Sequence, residues 1–164
     1  MREILFRGKC VDAYAAGEWA YGFYTNEEYN EVYETPCSEV KDHYIENQDD
    51  TMRVDPETIG QYTGLKDKNG KRIFEGDVFR FPDEVWKSYY TSCGTEYNSW
   101  EVENYGVVGF CEESAKYDFV KYKYNENSVE ADLHENGTLD FVEFLAELEV
   151  IGTIHDNPEL LEEA

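Results

Sequence analysis

One short segment constrains this chain more than any other. Asn69-Gly70, inside Lys66-Asp67-Lys68-Asn69-Gly70-Lys71, is its clearest turn. An Asn-Gly pair suits a two-residue type I′ hairpin turn, because both central residues need positive φ. Apolar and aromatic runs flank it. Gln61-Tyr62-Thr63-Gly64-Leu65 precedes it, and Ile73-Phe74 and Val78-Phe79-Arg80-Phe81 follow. Gly76 between the apolar pairs predicts a bend or bulge, and Pro82 is expected to close the run. A chain organised around such a turn is built from strands.

Other segments agree. Ile4, Phe6 and Cys10 suggest a short strand interrupted near Gly8. Trp19, Tyr21 and Phe23 alternate with Ala20, Gly22 and Tyr24. Period two with aromatics is a strand signal, and a hairpin across Asp12 to Gly17 would join these two runs. The stretch 26–50 is acidic and reads as a solvated loop, or as a weak strand pair around Val32-Tyr33 and His43-Tyr44-Ile45. Asp55-Pro56 suits a turn or helix start. Residues 82–104 read as a long excursion. Gly106–Phe110, Lys116–Tyr124 and Val150–Ile154 read as further strands. Phe141, Phe144, Leu145 and Leu148 lie on one face of a short helix. Asn157-Pro158, with acidic residues after it, predicts a short C-terminal helix.

Charge narrows the function classes. The 164 residues hold 14 Lys plus Arg against 37 Asp plus Glu, a formal charge of −23. Binding DNA, RNA or an anionic membrane through a broad basic face needs the opposite balance. Aromatic content of 16% argues against disorder. No apolar run approaches the roughly 18 residues of a membrane span, and no apolar signal-peptide core lies near Met1, so a cytoplasmic protein is expected. The charge is uneven. Residues 1–57 carry 5 basic and 14 acidic groups, 58–81 carry 5 and 3, and 82–164 carry 4 and 20. The island 58–81 holds Lys66, Lys68, Lys71, Arg72 and Arg80. One reading makes it an anion or nucleic-acid contact. The preferred one has acidic neighbours of the same or another copy neutralise it.

Catalytic signatures are absent. Cys10, Cys37, Cys93 and Cys111 form no C-x-x-C pair, and His43, His134 and His155 are not at helical spacing. Phosphate-loop, nucleophile-elbow and zinc-protease motifs are missing. Residues 132–143 resemble a calcium loop, with Asp132, Asn136, Asp140 and Glu143 as ligands. His134 stands where a further oxygen donor is needed, so a tight turn before a helix is preferred. No metal and no cofactor is therefore expected.

Three stretches together resemble the YopX protein family of phages and prophages. They are Arg2–Lys9 with Gly17–Gly22, then Thr58–Val78, then Glu149–Leu161. The stretches 26–50 and 82–104 match poorly. The resemblance implies a β-rich fold whose C-terminal part is similar to an SH3-type barrel, and it brings no catalytic residues and no assigned role. The expected architecture is mainly β. It has an N-terminal hairpin subdomain (1–57), an SH3-like barrel (58–157) with an insertion near 82–104, short C-terminal helices, and a tail (158–164). The expected function is a non-enzymatic, phage- or prophage-encoded protein-interaction module that self-associates or binds another protein. Trp86, Tyr89, Tyr90 and Trp100 are the contact candidates, since aromatics dominate interface energetics; the competing reading places them in the core. The alternatives are an acidic DNA mimic that blocks a DNA-binding host protein, and a calcium-binding module.

Overall fold

The computed structural model describes residues 3–27, 42–123 and 141–162. The chain forms two compact units, Met1–Gly64 and Leu65–Ala164. Each has its own core, and the described strands form one six-stranded sheet, which ends on the short strand Arg72–Phe74, and one four-stranded sheet.

In the first unit, strands β1 (Phe6–Lys9), β2 (Trp19–Glu27), β3 (Asp42–Glu46), β4 (Thr51–Arg53) and β5 (Gly60–Lys66) lie in the order β4-β3-β2-β1-β5. The expected hairpin forms, with Phe6 opposite Gly22 and Lys9 opposite Trp19. The Gly17 N–H donates to the Cys10 carbonyl across the turn. Gly8 does not interrupt β1, because it holds its place in the ladder opposite Ala20. The alternation on β2 faces opposite to aromatic intuition. Ala20 and Gly22 point inward, while Tyr21 and Phe23 are 47% and 62% exposed. Small residues are required inside because the strands approach closely there. The core gathers Cys10, Ala15, Ala20, Ile45 and Val54, with Phe6, Tyr24, Met52 and Ile59 packed against it. The loop reading of 26–50 fails at β3. Ile45 is fully buried, and β3 is paired on both sides, to β2 and β4. Val32-Tyr33 lies outside the described residues. Asp55 accepts a hydrogen bond from the Glu57 N–H and starts a 3-10 turn over Pro56–Thr58, as its proline suggested.

The second unit contains β6 (Arg72–Phe74), β7 (Asp77–Thr91), β8 (Gly94–Cys111), β9 (Lys116–Lys123), α1 (Phe141–Glu147) and β10 (Val150–Thr153). Its four-stranded antiparallel sheet runs β10-β7-β8-β9. The mainly-β expectation holds, but this sheet is open. Its edges, β9 and β10, do not pair with each other among the described residues, so the SH3-like closure is not seen. Ile73, Phe79, Phe81, Val108, Phe119, Leu145, Leu148 and Val150 form the core. Phe81 stacks on Phe119 at 5.6 Å and meets the edge of Phe144 at 5.8 Å. The helix face read from the sequence is the one that packs: Leu145 and Leu148 are buried and Phe144 is half-buried.

The turn differs from the expected type I′. The Gly70 N–H donates to the Asp67 carbonyl, and the Asp67 N–H to the Lys71 carbonyl, both at 2.9 Å. Gly70 has φ of 82°, whereas Asn69 does not enter the positive-φ region. This is a three-residue loop closed on a glycine bulge. Asp67 selects it. Its buried carboxylate accepts the Asn69 and Lys71 N–H groups on Oδ1 at 2.8 Å, and the Val150 N–H on Oδ2 at 3.2 Å.

Two further expectations are corrected. Pro82 does not end its strand, because β7 continues to Thr91. The pairing with β10 stops at Phe79 opposite Val150, so β7 has a single neighbour at Pro82 and can tolerate a missing N–H. The 82–104 excursion is a pair of antiparallel strands. The C-terminal helix shrinks to a 3-10 turn over Pro158–Leu160, and the Asn157 side chain makes no cap bond.

Candidate functional site

The most distinctive feature is a two-stranded ribbon formed by the outer halves of β7 and β8. Its ladder runs without interruption from Pro82 opposite Glu103 to Thr91 opposite Gly94. Ten residue pairs at about 3.3 Å each give a reach of about 30 Å. Phe81 and Val102 are buried at its base. Beyond them, every described side chain from Ser88 to Ser99 is exposed. Ser88 lies opposite Tyr97 and Tyr90 opposite Thr95, so Tyr90 and Tyr97 share one face. They are 91% and 66% exposed.

All four sequence-selected aromatics fall on this ribbon. Trp86, Tyr89 and Tyr90 lie on β7, and Trp100 lies on β8 opposite Val85. Of these, Tyr90 is the one whose side-chain surroundings are described, and it is outside the core. Tyr97 was missed. Its signal was the Ser92-Cys93 step before Gly94, a tight turn between two alternating runs that makes residues 82–104 a hairpin.

The basic residues sit at the ribbon's base. Lys68 in the turn pairs with Glu149 at 3.0 Å, and Arg80 pairs with Glu103 at 3.2 Å. The Lys68 N–H also donates to the Leu148 carbonyl. Between them lies a cleft of about 260 Å³ lined by Lys68, Arg80, Pro82, Glu103, Glu147, Leu148, Glu149 and Ile151. Lys68 and Arg80 in this lining are paired with Glu149 and Glu103, and the lining includes no Ser, Thr, Cys or His. Lys66, Lys71 and Arg72 are exposed. Lys66 and Lys71 have no carboxylate partner among the described residues.

The first unit carries a second aromatic surface that sequence reasoning treated as strand alone. Trp19, Tyr21 and Phe23 line the outer face of β2. The Arg7 guanidinium lies 4.6 Å from the Trp19 ring and the Lys9 ammonium 5.6 Å from it. Arg7 is buried, so its guanidinium is packed on the tryptophan rather than offered to solvent.

Of the calcium-loop residues, Asp132, Asn136 and Asp140 lie outside the described residues, and Glu143 is exposed on α1. Among the described residues no group of three or more His, Cys, Asp or Glu side chains is placed to hold a metal ion. Among the described residues Cys10, Cys93 and Cys111 are thiols, not disulfides. Cys10 is buried, with Sγ 3.3 Å from Met52 Sδ; burial, then the nearby carboxylates of Asp12 and Glu18, push its thiol pKa up. Hydrogen bonding from Ser114 holds the Cys111 thiol below its usual range. No helix of the described residues is long and apolar enough to cross a membrane.

A mainly-β chain with a protruding ribbon and an ion-paired base can now be placed among known families. The family model described as YopX protein matches residues 12–162. The chain belongs to the YopX family. Its opening segment, Arg2–Lys9, lies before the matched region. No curated protein matches the chain.

Proposed function

We propose that this protein is a phage- or prophage-encoded, non-enzymatic interaction module of the bacterial cytoplasm, and that the β7–β8 ribbon is its contact element. One observation carries the reading: a ribbon of about 30 Å leaves the core and exposes Tyr90 and Tyr97. An isolated two-stranded ribbon is marginal in water. Exposed aromatics at its far end supply the large, rigid contact area typical of interface anchors. Family membership supports phage-type origin but supplies no role.

The test replaces residues 84–101 with a two-residue Asn-Gly turn. No described core residue falls in that span, and the second unit should keep its fold, as checked by circular dichroism and thermal melting. Sedimentation velocity and quantitative co-purification should then show loss of association, with itself or with another protein. A folded, ribbon-less chain that retains every association of the full chain would overturn the proposal.

A further inference from the structure

We infer that the ribbon's partner is a second copy of this chain, with the Tyr90–Tyr97 tip of each copy seated on the Lys66/Lys71 turn of the other. This rests on the ribbon being the contact element. Four observations carry it. The two tyrosines expose their rings on one face near the tip. Lys66 and Lys71 are exposed and without a carboxylate partner among the described residues, whereas Lys68 and Arg80 beside them are neutralised. The turn lies at the ribbon's base, since Lys68, Arg80, Pro82 and Glu103 line one cleft. Tyr97 is six residues along β8 from Glu103, about 20 Å at strand rise. One chain therefore cannot bring its own tip to its own turn, but a second copy can.

The chemistry is complementary. An ammonium over a tyrosine face is attracted by the ring quadrupole, and the lysine stem adds apolar contact. Glu96, exposed beside Tyr97 and unpaired among the described residues, adds an anion near the tip. Two ribbons laid antiparallel, tip to base, make this contact twice about a two-fold axis, and the assembly closes. The high negative charge does not forbid it. At physiological ionic strength fields fall off over about 8 Å, and the contact joins each copy's most basic segment to the other's tip.

Mixing two variants tests this. Tyr90→Ala/Tyr97→Ala removes the tip, and Lys66→Glu/Lys71→Glu reverses the base; both alter exposed side chains, and folding is checked by circular dichroism. Sedimentation velocity on each variant alone should show self-association weakened about tenfold or more. An equimolar mixture should associate more tightly than either variant alone, because the mixed pair keeps one intact contact. A mixture behaving as the average of its components would overturn the inference, as would a wild-type chain that stays monomeric at all concentrations. If the wild type is monomeric but ribbon removal still abolishes capture of another protein, this inference fails and the contact role of the ribbon stands. If ribbon removal leaves self-association intact, the contact role itself fails.

Discussion

At the scale of single residues, a few side chains decide local geometry. Asp67 is the clearest. Its carboxylate, 5% exposed, receives three backbone N–H groups from two parts of the second unit. Asp67→Ala should cost about 3 kcal/mol in denaturant unfolding, since buried donors lose charged acceptors, and Asp67→Asn should cost less because one acceptor oxygen remains. Gly22 works by absence. A Cβ there would lie 1.9 Å from the Glu46 carbonyl oxygen, which is backbone and cannot swing aside. Gly22→Ala should destabilise the protein by about 3 kcal/mol through parting of β2 and β3, seen as a lowered denaturation midpoint. Cys10 brings a pH dependence. Burial raises its folded pKa above the usual thiol value of 9.0, so the folded state holds the proton more tightly than the unfolded one. Its contribution is full below that value and is lost as pH rises through the folded pKa. Stability of Cys10→Ala should fall less steeply than that of the wild type in alkaline titrations.

Among the elements, legibility in the sequence followed locality. The β1–β2 hairpin, the 3-10 turn after Asp55 and the apolar face of α1 were readable because neighbouring residues determine them: alternation, a capping aspartate before proline, and i, i+3, i+4 spacing. The turn type was not readable. Asn-Gly prefers I′ in isolation, but Asp67 is tied to Val150, 83 residues away, and that tertiary bond selects the bulged loop. β3 was legible only as the weaker alternative at His43-Tyr44-Ile45, because its neighbours are acidic and the burial of Ile45 depends on pairing with β2 and β4. The ribbon was concealed by Pro82, whose usual meaning as a strand breaker lapses where the strand has one neighbour. Tyr90 was legible as an aromatic candidate and Tyr97 was not, and their sharing of one face near the tip comes from register, which no local pattern specifies.

Taken as a whole, the molecule carries a formal charge of −23 on 164 residues. Self-repulsion of that size works against the compact state. Raising ionic strength from low values to about 0.15 M should therefore raise the melting temperature, because the screening length shortens to about 8 Å. A flat or falling response would mean that internal pairs such as Lys68–Glu149 and Arg80–Glu103 outweigh the net field. The unbroken ladder from Val78 opposite Val107 out to Thr91 opposite Gly94 has a consequence for motion. Fraying that begins at the outer end meets no hinge on its way inward, so amide-proton exchange should slow residue by residue toward Phe81. Whatever grips the far end would quench that exchange along the entire length, and thus be felt where the phenylalanines pack.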